Sequence, residues 1–434
     1  MPIRALRLSG VMLDVRPLRA HREFRLLVLG QMINNLGSMA TQLALPFQLY
    51  LLTHSALALG ALATTQLAAM LIASPLAGAI ADTVDRRKLL LYTQSGLCSV
   101  SVILTILAVR AAVPAWPIYV LAFIQAVLDS CDRPARQSLV PRLVSEERLG
   151  AAIALQRATM SLARVLGPAL GGVLIASVGL AAAYGVDALT FVASFVALAL
   201  MPPVPAAGHS QQGAWRMVAE GLAYVKSTPT VLAAFVVDLD AMIFGMPTSL
   251  FPILAIDVFH MGSTGLGLLT AAPSFGSIVG LALSGWVHRV RYQGRLVFAA
   301  VGAWGVAITL FGLVKAMPLA MLLLAIAGAA DVISAIVRAT IIQTVTPDRL
   351  RGRVSALNTM VVGGGPKLGA VESTAVAAIS SAPASVVSGG VLCLLGLAAV
   401  ARWSREFLAY DSRRAVELPV TAPPLVPAVA TSTS

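Results

Sequence analysis

Residues 57–112 read LALGALATTQLAAMLIASPLAGAIADTVDRRKLLLYTQSGLCSVSVILTILAVRAA. Two apolar runs, Leu57–Ala81 and Leu89–Ala112, flank a short polar stretch ending in Arg86, Arg87 and Lys88. At about 1.5 Å per residue, each run can cross the roughly 30 Å of hydrocarbon in a bilayer. Neither run alternates polar and apolar residues, and lipid offers an unpaired backbone no partner, so helices are expected rather than barrel strands. The stretch reads as a transmembrane hairpin turned by a basic loop.

The pattern repeats along the chain. Of 434 residues, 58% are hydrophobic and only 12% charged, with a mean hydropathy of +0.86; a soluble domain carries about a quarter charged residues. Twelve spans are expected, near Leu26–Leu52, Leu57–Ala81, Leu89–Ala112, Pro117–Val140, Gly150–Ile175 and Leu180–Met201, then Pro229–Val258, Gly265–Val287, Leu296–Val314, Pro318–Val337, Val354–Ala378 and Ala384–Ala401. Loops after even-numbered spans and both tails hold nearly all Lys and Arg, whereas loops after odd-numbered spans hold only Arg110 and Lys315. The positive-inside rule then puts both termini in the cytoplasm. Topology thus accounts for the net charge of +12, and no basic face interleaved with aromatic residues points to a nucleic-acid partner.

The longest loop, PPVPAAGHSQQGAW, leads into an amphipathic piece around Met217–Lys226. It divides the chain into a cytoplasmic N-terminal segment (1–25), a six-helix bundle (26–201), a cytoplasmic linker (202–228), a second six-helix bundle (229–401) and a cytoplasmic tail (402–434). The tail's end, Glu417–Ser434, is rich in Pro, Ala, Thr and Ser and is expected to be disordered. An internal repeat supports the halving: Leu59-Gly60-Ala61-Leu62 aligns with Leu266-Gly267-Leu268-Leu269, and Val144 with Arg148-Leu149 aligns with Val345 and Arg349-Leu350.

Other readings find little support. The Arg-rich start precedes an apolar run too long for a secretion-signal core. Cys98, Cys131 and Cys393 form no C-x-x-C pair and read as packing residues, and the five His show no metal-ligand spacing. Residues 363–367, GGGPK, lack the Lys-Ser/Thr ending of a phosphate loop, so neither an ATP-driven pump nor a cofactor-dependent enzyme is indicated.

Gly78-Ala79-Ile80-Ala81-Asp82-Thr83-Val84-Asp85-Arg86-Arg87-Lys88 resembles the G-x-x-x-D-R-x-x-R-R/K loop signature of the major facilitator superfamily, with Thr83 in place of Arg and Asp85 in place of Gly. Gly167-Pro168-Ala169-Leu170-Gly171-Gly172 resembles the end of that family's antiporter motif, with Ala163 where a Gly is expected; a Pro kink with ordinary helix packing explains it equally well. THSALALG, DRPARQSLVPRLV and RLRGRVSAL resemble the superfamily branch of enterobactin and multidrug exporters. The resemblance implies an all-α membrane protein of the major facilitator fold, with twelve transmembrane helices in two pseudo-symmetric bundles rocking about a midplane site. It implies a monomer in a bacterial inner membrane, with Gly78, Asp82, Arg86 and Arg87 as a cytoplasmic gate and spans one, four, seven and ten around the cavity.

An ionisable residue inside a span is costly and faces a cavity or a partner by default. Asp129, Asp238, Asp240, Asp331 and Lys367 fall near mid-bilayer. In span one, Gln31, Asn34, Asn35, Ser38 and Gln42 run down one face, either as a substrate-binding stripe with Asp129 or as interhelical glue. Asp238, Asp240 and Asp331 rank first for proton coupling, because buried carboxylates can take up and release protons as a cavity opens to either side. Arg133 or Arg136 would pair with Asp129 or Asp132, Lys367 and Glu372 sit poorly for pairing on one helix, and Asp187, Arg157 and Arg164 have no assigned role. The expected activity is export of a small amphipathic molecule, siderophore- or drug-like, by proton antiport; an importer or facilitator of the same fold and a non-transporting scaffold or sensor stay open.

Overall fold

A computed structural model describes residues 14–110, 113–202 and 214–411, with all their side chains except those of residues 75, 76, 78–83 and 214–218. The tail expected to be disordered, most of the linker loop, the surroundings of Gly78 and the side chain of Asp82 lie outside this description. Twelve helical segments form two sets of six: α1 (Arg22–Thr53), α2 (Ala56–Thr83), α3 (Arg86–Val109), α4 (Trp116–Leu143), α5 (Glu146–Val178) and α6 (Leu180–Ala199), then α7 (Pro229–Val258), α8 (Gly262–Leu283), α9 (Gln293–Leu313), α10 (Met317–Val345), α11 (Asp348–Ile379) and α12 (Ala382–Trp403).

Among the described residues, nine segments can cross a membrane by length and composition alone. The other three, α1, α4 and α11, are 32, 28 and 32 residues long and carry many of the polar side chains discussed below.

The turns follow from local chemistry. His54, in the left-handed region, closes α1 by donating its N–H to the Tyr50 carbonyl at 2.7 Å. Gly179 at φ 103 joins α5 to α6, a conformation a Cβ disfavours. Asp85 caps α3 by accepting the Lys88 N–H, and Ser381 caps α12 by accepting that of Ala384.

One expectation about the spans is met and one is corrected. Span seven covers Pro229–Val258 as expected, with an internal break: α-helix runs from Pro229 to Phe244, breaks around Gly245 and Pro247, and resumes as a 3-10 turn (Thr248–Leu250), a short helical piece (Phe251–Ile253) and a π turn (Leu254–Val258). Pro247 has no N–H to give the ladder, and the Gly245 carbonyl is satisfied by the Trp304 indole at 2.7 Å. Span ten does not stop at Val337; α10 continues to Val345 and draws Arg338 into the bundle.

The two halves pack alike. In the first, α1 lies against α5 and α6, α3 against α4 and α6, and α2 against α4; in the second, α7 lies against α11 and α12, α9 against α10 and α12, and α8 against α10. Lipid gives helices no hydrophobic reason to associate, so small residues that let backbones approach do the work. Gly276 and Gly328 bring α8 and α10 into backbone contact at Ala325 and Pro273. The halves meet along two symmetry-related seams, α5 with α8 and α2 with α11.

Twelve helical segments running in alternating directions leave residues 14 and 411 at the same end of the bundles. Named contacts across the seams cluster towards the opposite face, where α1 meets α2 and α5 meets α6. Tyr50 of α1 hydrogen-bonds Asp257 of α7, Gly60 packs on Thr374, and Gly172 packs on Ser263 and Gly267. On the terminal face, a helix at Ala214–Ser227 docks on the second half through Glu220 to Arg353 (2.5 Å) and Tyr224 to the Val345 carbonyl (3.0 Å).

Candidate functional site

The polar stripe of α1 divides into two populations. Ser38 turns into the first bundle together with Thr41, which the sequence reading left out. Both donate to Asp187 of α6, at 3.3 and 2.7 Å, and Ser101 of α3 adds a third hydrogen bond at 2.8 Å. Asp187 is wholly buried, so three hydroxyls replace the water its carboxylate has lost. Gln31 instead accepts the Gln156 amide of α5 at 3.2 Å, Asn34 is buried, Asn35 is half-buried and Gln42 is exposed.

On α4, the buried Asp132 and Arg136 form an ion pair one turn apart, and Thr93 and Gln94 of α3 donate to Asp132 at 2.9 and 3.0 Å. The pair open in the sequence reading is therefore Asp132 with Arg136. Asp129 has no ion-pair or hydrogen-bond partner among the described residues; it lies within electrostatic range of Arg133 on its own helix and of Lys367 on α11.

The second half uses its carboxylates differently. Asp238 of α7 is clamped by Arg338 of α10 at 2.6 Å, and Arg338 also donates to Ser334 at 2.8 Å. Asp240 points to the other flank of α7, against Cys393 and Gly396 of α12, away from Arg338. Asp331 is half-buried and unpaired among the described residues, within range of Arg338, Asp238 and Arg164 of α5. Lys367 donates to Gln66 of α2 at 2.7 Å across the seam rather than pairing with Glu372.

Arg338 is the residue the sequence reading missed. The signal was present: Asp129 and Arg136 of α4 are spaced as Asp331 and Arg338 are on α10, so the internal repeat doubles an Asp–Arg couple. In each copy the Arg is buried in an ion pair, while the Asp is left without one between the halves.

Of the loop signature, Arg86 is buried and donates to the Ser138 carbonyl of α4 at 3.2 Å. Arg87 caps the end of α6 through the Leu198 and Ala199 carbonyls at 3.0 and 2.6 Å. Both thus tie α3 to its own bundle. Gly167, Gly171 and Gly172 press α5 on two neighbours: Gly167 and Gly171 meet Met39 and Ala40 of α1, and Gly172 meets α8 of the other half. The buried Pro168 lies on the same seam, its carbonyl 2.6 Å from where a Cβ on Gly267 would sit. Among the described residues no group of three metal-ligating side chains occurs.

Comparison with known proteins agrees with this architecture. Residues 14–430 match the family described as transmembrane secretion effectors, and the chain belongs to that family, a multi-pass membrane transporter of the major facilitator superfamily and not an enzyme. It is 30% identical over 395 residues to the enterobactin exporter EntS of Citrobacter koseri, covering 89% of this chain and 93% of that one. It is 28% identical over 407 residues to EntS of Escherichia coli, covering 90% and 96%. Among solved structures, a bacterial homologue of the human lysosomal transporter Spinster, in an inward-facing and unoccupied conformation, superposes with TM-score 0.71 at 15% identity, covering 92% of this chain and 99% of that one. A peptide transporter of the POT family gives TM-score 0.71 at 11% identity, covering 90% and 96%. These two likenesses concern the fold alone.

Proposed function

We propose that this chain exports a small amphipathic molecule, siderophore- or drug-like, by proton antiport across a bacterial inner membrane. It works as a monomer with both termini in the cytoplasm, alternating between states open to opposite faces. The observation that carries this reading is the set of charged side chains lying between the two halves at mid-depth: Asp129 and Arg133 of α4, Arg164 of α5, Asp331 of α10 and Lys367 of α11. Their placement supports a wet, central binding site, because unpaired charges at this depth are otherwise prohibitively costly.

Gln31, Asn35 and Gln42 add hydrogen-bonding capacity on α1. Asp331 is the leading proton carrier, since it is free of an ion pair. Asp238 is the second candidate, because its protonation would release Arg338. Asp240, turned towards α12, is third. The close seam opposite the terminal face supports rocking of two rigid bundles: parting α5 from α8 and α2 from α11 opens that face. The relatives named as enterobactin exporters support outward movement.

The test is efflux of fluorescent drugs and a catecholate siderophore from cells expressing the protein, with and without a protonophore, compared with Asp331→Asn and Asp238→Asn. Export that collapses with the protonophore and with Asp331→Asn is the expected outcome. Uptake instead of export, or export indifferent to the protonophore, would overturn direction or coupling respectively.

A further inference from the structure

The charged groups between the halves do not balance. Asp238 and Arg338 neutralise one another at 2.6 Å with both side chains only 6% exposed. That leaves three cations, Arg133, Arg164 and Lys367, facing two carboxylates, Asp129 and Asp331. Both arginines are exposed and have no hydrogen bond or ion pair among the described residues, and the half-buried Lys367 is held by a neutral amide, that of Gln66. The cations come from α4, α5 and α11, so they belong to both bundles, and Arg133 lies within repulsive range of each of the other two.

Two neighbouring arginines at membrane depth, exposed and without protein partners, would be costly if they faced lipid. Such an arrangement is stable only with water around it and gains most when an anion enters. Guanidinium groups suit the task, since their planar forks engage the paired oxygens of carboxylates and phosphates.

We propose that Arg133, Arg164 and Lys367 form a docking site for an acidic oxygen group of the transported molecule, so that the cargo class is organic anions. This rests on the transport reading above and deepens it. Because the three cations are contributed by both halves, a bound anion bridges the bundles across the space between the two seams and draws them together as they rock. Arg164 sits a turn before Gly167 on α5, the helix that packs on α8 of the other half, so anion binding at Arg164 acts on the element that must move.

The test uses the purified full chain in lipid nanodiscs. Binding of the fluorescent anion 9-anthracenecarboxylate is compared with that of its uncharged methyl ester and of cationic rhodamine 6G, for the wild type and for Arg133→Gln, Arg164→Gln, Lys367→Gln and Arg164→Lys. The wild type is expected to bind the anion at least about tenfold more tightly than the ester. Each Gln variant should lose most of that preference while keeping the elution profile of a folded protein, and Arg164→Lys should recover part of it. No preference for the anion in the wild type, or a preference that survives all three Gln variants, overturns the proposal. If one variant fails to fold, the other two decide. Binding is read without a gradient, so anion preference together with inward or uncoupled transport would keep this inference and sink the export reading. Efflux of cations alone, with no anion preference, would do the reverse.

Discussion

Replacing Arg338 by Met strands Asp238 in the interior of the second bundle. The pair is 2.6 Å apart with each side chain 6% exposed, so solvent screens it little. Removing one partner of such a pair costs about 3–5 kcal/mol, chiefly because an uncompensated charge stays buried; the lost bond to Ser334 adds about 1 kcal/mol. Removing both charges, as Asp238→Leu with Arg338→Met, takes away the stranded carboxylate, and the double variant should return to within about 1–2 kcal/mol of wild type. Equilibrium unfolding in mixed SDS micelles measures the cycle, with a thiol-reactive dye reporting exposure of the free Cys98, Cys131 and Cys393. Efflux is the second readout: the double variant should be stable yet transport poorly if the pair takes part in the cycle. A double variant as unstable as Arg338→Met alone would refute the reasoning, since the cost would then lie in packing rather than in the orphaned charge.

The seam and the first bundle give two further expectations. A Cβ on Gly172 would lie 2.6 Å from the Ser263 carbonyl oxygen and 2.9 Å from the Gly267 Cα. Gly172→Val should therefore hold the halves apart, cutting disulfide formation between Tyr50→Cys and Asp257→Cys several-fold; an unchanged yield would show that the seam tolerates the side chain. In the first bundle, Asp187→Ala removes the common acceptor of Ser38, Thr41 and Ser101 and should destabilise by at least about 1–3 kcal/mol in the same unfolding assay. Asp187→Asn should recover part of that loss, and an alanine variant indistinguishable from wild type would argue against the cluster as a structural core.

Hydropathy made the fold legible because a membrane imposes one length and one backbone solution on every span. The repeat made the symmetry legible, down to Leu59-Gly60 and Leu266-Gly267, each glycine lying on one of the two seams between the halves. Direction of side chains was less accessible. Asp238 and Asp240 sit on one turn of α7 at similar depth, yet one faces Arg338 of α10 and the other faces Cys393 of α12, a difference fixed by which helix lies on which flank. Ser38 looked like its neighbours Gln31 and Gln42, but its partner Asp187 arrives from a helix far away in sequence.

Arg338 shows the limit most clearly. A basic residue at the end of an apolar run reads as a cytoplasmic anchor under the same charge rule that orders the loops correctly. Only a carboxylate supplied from another helix makes it affordable inside the bundle. A charge rule and a pairing rule compete for every arginine near a span end, and the internal repeat can arbitrate between them. Arg136, at the matching place on α4, is buried against Asp132, and the same fate follows for Arg338 once the two helices are superposed.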